Sequence, residues 1–193
     1  MLRVLVIFIF VSAYLGLHLV LVDAAANVSW VLFEDKNGFF TIKYPSNWNP
    51  YKYVEDSSAP VNIYFAYAGS GSSFAELVLS GEESIHSNVT DLVDSYPVYL
   101  QSYPKYKVVQ EVQCGKYTII NMSACDMIIT YKNTDLEDQP TVYELVVGTI
   151  DKGNEYVLVY YVTEDLYDHF LPVAERMISS FKVIASNATS LIS

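Results

Sequence analysis

The two cysteines constrain this chain more than any other feature in it. Cys114 ends an alternating run over 106–114, and Cys125 opens another over 125–132, so the pair reads as two antiparallel strands. If the strands pair about the centre of the connecting segment, residue i faces residue 239−i. Val112 then faces Met127, Val108 faces Tyr131, and Cys114 faces Cys125. A directly opposed cross-strand pair is near enough to bridge, and closing a loop of this size contributes roughly 3 kcal/mol. The intervening residues 116–121 read as a further short strand. There is no C-x-x-C and no lone activated thiolate, so the disulfide Cys114–Cys125 is read as a staple without redox function.

The remaining elements follow from periodicity. Residues 29–33 and 38–44 alternate as strands around a turn at Asp35-Lys36-Asn37-Gly38, and a polar, Pro-bounded loop covers 45–60. VNIYFAY (61–67) and FAELVLS (74–80) are strands joined through AGSGSS. From Asn88, a good N-cap, Val89, Leu92, Val93, Tyr96, Tyr99 and Leu100 recur at helical spacing, interrupted by Pro97, which forces a kink or an early stop. TVYELVVGTI (141–150) and EYVLVYYV (155–162) flank a turn at Lys152-Gly153-Asn154. Leu166, Phe170, Val173, Met177 and Ile178 then form one helical stripe, with Thr163 as its expected N-cap, and SFKVI closes as a short strand. This pattern is α+β: an antiparallel sheet with helices packed on it.

The N-terminus separates from this domain. After Met1-Leu2-Arg3, residues 4–22 carry no charge, and Ala24 and Ala26 fit an A-x-A cleavage rule. Residues 1–26 are therefore a secretory signal or, since the run approaches a bilayer-spanning length, an N-terminal membrane anchor. Either puts residues 27–185 outside the cytoplasm as one domain, with 186–193 as a frayed tail. Four N-x-[ST] sequons, at Asn27, Asn88, Asn121 and Asn187, make it a candidate glycoprotein. Loss of 1–26 leaves the net charge at −11, which excludes nucleic acid as a partner.

Catalytic and metal motifs are sparse. No serine sits in a G-x-S-x-G elbow, and the mature chain holds only His86 and His169, each read as a solvated histidine. There is no H-E-x-x-H. The glycines Gly69 and Gly71 lack the helix that a dinucleotide site needs. The loop after residue 132 offers Asp135, Glu137 and Asp138 as calcium ligands, without the glycine and terminal glutamate of an EF-hand. A second ligand candidate is aromatic, with Trp48, Tyr51, Tyr53, Tyr64 and Tyr67 lining a pocket between the sheet and the 45–60 loop.

Three stretches carry a family likeness: GFFTIKYPSNW near the mature N-terminus, INMSACDMIITYK in the middle, and EYVLVYYVTEDLYDHFLPVAERMISSFKV at the end. Over residues 29–184 the chain resembles the PsbP family, the extrinsic photosystem II subunit and its non-photosynthetic exported relatives. The resemblance implies an α-β-α sandwich around a central antiparallel sheet, and an accessory role docked on a membrane protein complex, with retention of calcium or chloride in photosynthetic members. The acidic charge, the sequons and the cysteine pair depart from that pattern, and photosynthetic function is not carried over. The expectation is an exported, non-catalytic accessory module at the extracytoplasmic face of a membrane protein complex. The alternative is an extracytoplasmic protein that binds a metal or small ligand.

Overall fold

The computed structural model describes residues 28–35, 40–51, 61–68, 72–133 and 139–184. Residues 1–27, Tyr53, the acidic loop with Asp135, Glu137 and Asp138, Asn187 and the tail lie outside the described residues. No helix among those described is long and apolar enough to cross a membrane.

The strands are β1 Trp30–Glu34, β2 Phe40–Pro45, β3 Asn49–Tyr51, β4 Val61–Ala68, β5 Phe74–Glu83, β6 Lys107–Ile119, β7 Met122–Tyr131, β8 Val142–Asp151, β9 Asn154–Thr163 and β10 Lys182–Val183. The helices are α1 Val89–Ser95 and α2 Tyr167–Ser180. Seven strands form one antiparallel sheet in the order β3-β4-β5-β9-β8-β7-β6, and β1-β2-β10 form a small second sheet. One face of the large sheet is covered by α2 and the small sheet. The other is covered by α1 and the 3-10 segment Tyr96–Ser102. The helices thus sandwich a central antiparallel sheet, as expected, and the small sheet shares one of the outer layers.

Burial on both faces explains the composition of β8 and β9. Leu145, Val147, Leu158 and Tyr160 point to the α2 side, while Val142, Val146, Val157 and Val159 point to the α1 side. The two strands meet through Lys152-Gly153, both at positive φ (51° and 80°), the two-residue hairpin geometry that suits right-twisted strands. On the small sheet, Phe40 and Ile42 bury against the main core, and Pro45 ends β2. The chain then turns, with the Trp48 amide donating to the Pro45 carbonyl (2.9 Å), and Trp48 inserts against Tyr67 and Phe170 at 2% exposure. Phe40, Ile42 and Trp48 thus make this turn a corner of the core.

Several details correct the sequence reading. The segment 45–60 is not all loop, because Asn49–Tyr51 pairs with β4 as an edge strand. The register i ↔ 239−i holds only at Gln113↔Asp126 and Cys114↔Cys125. Bulges on both sides of the bridge shift it, so that Val108 faces Ile129 in place of Tyr131, and Val112 is not paired with Met127. The expected strand 116–121 is the end of β6, running on to a tight turn at Ile120 and Asn121 (φ 56° and 63°). Thr163 does not cap a helix with its side chain. Its hydroxyl lies against the Phe74 backbone instead, 3.3 Å from the amide and 3.4 Å from the carbonyl oxygen, tying β9 to β5. The disulfide forms as read, with Cα atoms 4.0 Å apart. Asn88 caps α1, its Oδ1 accepting from the Asp91 amide (2.9 Å), and Pro97 ends the α-helix at Ser95 by turning it into a 3-10 segment.

Candidate functional site

Helix α1 lies over β6, β7 and β8, and it is too short to reach β4 and β5. That half of the sheet face stays open as a groove of about 470 Å³. Its walls are Tyr64 from β4, Phe74, Glu76 and Val78 from β5, Tyr161 from β9, and Tyr96 from the 3-10 segment. Alternation along each strand brings these side chains to one face. Among the described residues of the wall, Glu76 is the only ionisable group besides tyrosine. The Tyr51 hydroxyl donates to its carboxylate, and the Tyr51 ring stacks on Tyr64 at 5.1 Å. Burial raises the Glu76 pKa, opposed by that hydrogen bond.

One strand further in, Glu144 occupies the same face of β8 as the cross-strand partner of Tyr161 and Ile129. It is 0% exposed, and neither carboxyl oxygen has a hydrogen-bond partner. The Tyr131 hydroxyl approaches it without completing a bond of good geometry. Desolvation pushes the Glu144 pKa from 4.5 up to about 8. Burial likewise raises the phenols of Tyr96, Tyr99, Tyr131 and Tyr161, and the Glu144 charge adds to each. Tyr96 and Tyr161 bring their hydroxyls to 3.4 Å, forming the wall between groove and buried acid.

The aromatic residues singled out from sequence divide between the two faces. Tyr51 and Tyr64 border the groove. Trp48 and Tyr67 sit on the α2 side in the core, against Phe170. Of the four that are described, the structure therefore brings two to one site, and Tyr53 lies outside the described residues. Glu76, Tyr96, Tyr161 and Glu144 went unnoticed in sequence; the available signal was a single acid, Glu144, inside an otherwise apolar strand. Of the sequons, Asn88 and Asn121 are exposed, the second at the tip of the β6–β7 turn. No group of three or more metal-ligating side chains occurs among the described residues.

His86 is not the solvated residue expected. Its Nδ1 lies 2.8 Å from Glu155 Oε2 and its Nε2 lies 2.9 Å from Ser95 Oγ. The order acid–histidine–serine resembles an acyl-transfer relay. The hydroxyl proton is directed elsewhere, however, since Ser95 donates to the Leu92 carbonyl (2.9 Å). Ser95 also ends α1, where the converging carbonyls disfavour a developing oxyanion. This arrangement is a clasp, holding the end of α1 to β9.

No protein-family model matches the chain, and no curated protein matches it in sequence. Solved structures do share its fold. Cyanobacterial PsbP (CyanoP) from Synechocystis is 15% identical with a TM-score of 0.54, over 81% of this chain and 94% of its own. The Ran-binding protein Mog1p of Saccharomyces cerevisiae is 11% identical with a TM-score of 0.59, over 86% and 100%. LpqN of Mycobacterium tuberculosis, involved in cell envelope biogenesis, is 14% identical with a TM-score of 0.52, over 81% and 91%. The chain has the α+β fold common to PsbP and Mog1, and the likeness read from GFFTIKYPSNW and the C-terminal stretch holds at the level of that fold.

Proposed function

We propose that this chain is an exported, non-catalytic binding module whose ligand surface is the tyrosine-walled groove on the α1 side of the sheet. The observation that carries this reading is the groove itself, an aromatic recess with one carboxylate on its wall, left open because α1 covers half a sheet. Its size falls within the range of small-ligand sites, and a few polar groups among aromatic rings are what orientation and specificity require. Export rests on residues 1–26, the sequons and the disulfide, which forms in oxidising compartments. Ser80 lines the same recess, so Ser80→Trp fills it. Compounds that raise the melting temperature of the wild type should leave that of the filled variant unchanged. Equal stabilisation of both would move the ligand site elsewhere.

Docking on a membrane protein complex is a second reading, favoured by Val98 and Tyr99, which are 59% and 54% exposed side by side on the 3-10 segment. Gentle extraction and native electrophoresis test it. Co-migration of the wild type with a large assembly, lost on Val98→Lys with Tyr99→Lys, supports docking. Migration as a free small glycoprotein contradicts it.

A further inference from the structure

We infer that the groove takes a small organic cation, an ammonium head group carried on a short apolar body. The inference rests on the groove being the ligand surface. Four aromatic side chains, Tyr64, Phe74, Tyr96 and Tyr161, line one recess, and no lysine, arginine or histidine is among its described lining residues. Ring faces attract a cation and give nothing comparable to an anion. The Glu76 carboxylate sits among them, held by the Tyr51 hydroxyl and so oriented before any ligand arrives. A carboxylate and four aromatic side chains, with no basic group among the described lining residues, thus bear on one recess, which a cation complements and an anion does not. The net charge of −11 draws cations to the same surface.

The test uses an isosteric pair, choline and 3,3-dimethylbutan-1-ol, which differ only in the charge of the head group. Both are titrated into the ¹⁵N-labelled full chain with its disulfide formed, following the amides of residues 64, 74–80, 96 and 161. Choline should shift these amides and bind about tenfold more tightly than the alcohol. Glu76→Gln keeps an acceptor for Tyr51 while removing the charge, and should bring choline to the level of the alcohol at an unchanged melting temperature. Equal affinity for the two probes in the wild type overturns the cation inference while leaving the groove as a ligand site, as does a Glu76→Gln variant that binds choline as well as the wild type. Failure of both probes to move any groove amide overturns both the inference and the groove reading beneath it.

Discussion

Replacing Glu144 by glutamine should make this protein more stable at neutral pH, with a benefit that grows with pH. The acid is fully buried in the middle of β8, with no fully formed hydrogen bond to hold its charge; the Tyr131 hydroxyl that approaches it offsets only part of the desolvation. Its pKa rises from 4.5 to about 8 on folding, with desolvation the main cause. Between those values the folded protein holds a proton that the unfolded chain has released. The stability that this proton confers is complete below pH 4.5 and is lost as the pH climbs towards 8. The slope approaches about 1.4 kcal/mol per pH unit, and at pH 7 the accumulated loss is on the order of 3 kcal/mol. A glutamine in its place carries no such charge. It does add an amide with no partner, but that cost does not vary with pH. The assay is urea unfolding of wild type and Glu144→Gln at pH 5, 6, 7 and 8, comparing the difference between the two proteins. Other titrating groups, Glu76 among them, cancel in that difference. The stability of the variant relative to wild type should improve by roughly 2–3 kcal/mol between pH 5 and pH 7, about 5–10 °C in melting temperature. Parallel curves would show that Glu144 is not the uncompensated buried acid described here.

Three further perturbations test the fold around the site. The Cβ of Gly148→Ala would lie 2.8 Å from Val93 Cγ2 and 3.2 Å from Leu92 Cδ2, so it should push α1 off the sheet and cost about 1–3 kcal/mol in thermal unfolding. Asn88→Ala removes the side-chain cap of α1 and should cost about 1 kcal/mol, read by urea denaturation. The double change Cys114→Ser, Cys125→Ser should cost roughly 3 kcal/mol, and the oxidised wild type treated with reductant should converge on the same midpoint.

Much of this architecture is written locally. The hairpin at Lys152-Gly153, the cap at Asn88, the break at Pro97 and the α2 stripe each depend on residues within one turn of each other, and each is legible. The cysteine pairing is legible because it is a cross-strand contact at the narrow end of one hairpin. The bulges that shift register away from that contact depend on which side chains face which layer, and pairwise symmetry cannot reveal them. The pocket residues show a sharper lesson. Tyr64 and Tyr67 are three apart on one strand, so a period of two sends them to opposite faces, and Trp48 and Tyr51 divide likewise across a turn and an edge strand. The groove is legible only once β9 and the 3-10 segment are known to lie beside β5. Sequence distances of 65 between Tyr96 and Tyr161 and 25 between Tyr51 and Glu76 hide both contacts.

The most direct test of the account is chemical-shift mapping of the ¹⁵N-labelled protein with a library of small fragments of mixed charge. The groove reading predicts that perturbed amides gather at residues 64, 74–80, 96 and 161. Perturbations gathered instead at the recess of about 570 Å³ on the far side, around Lys116, Asn121 and Phe181, would contradict it.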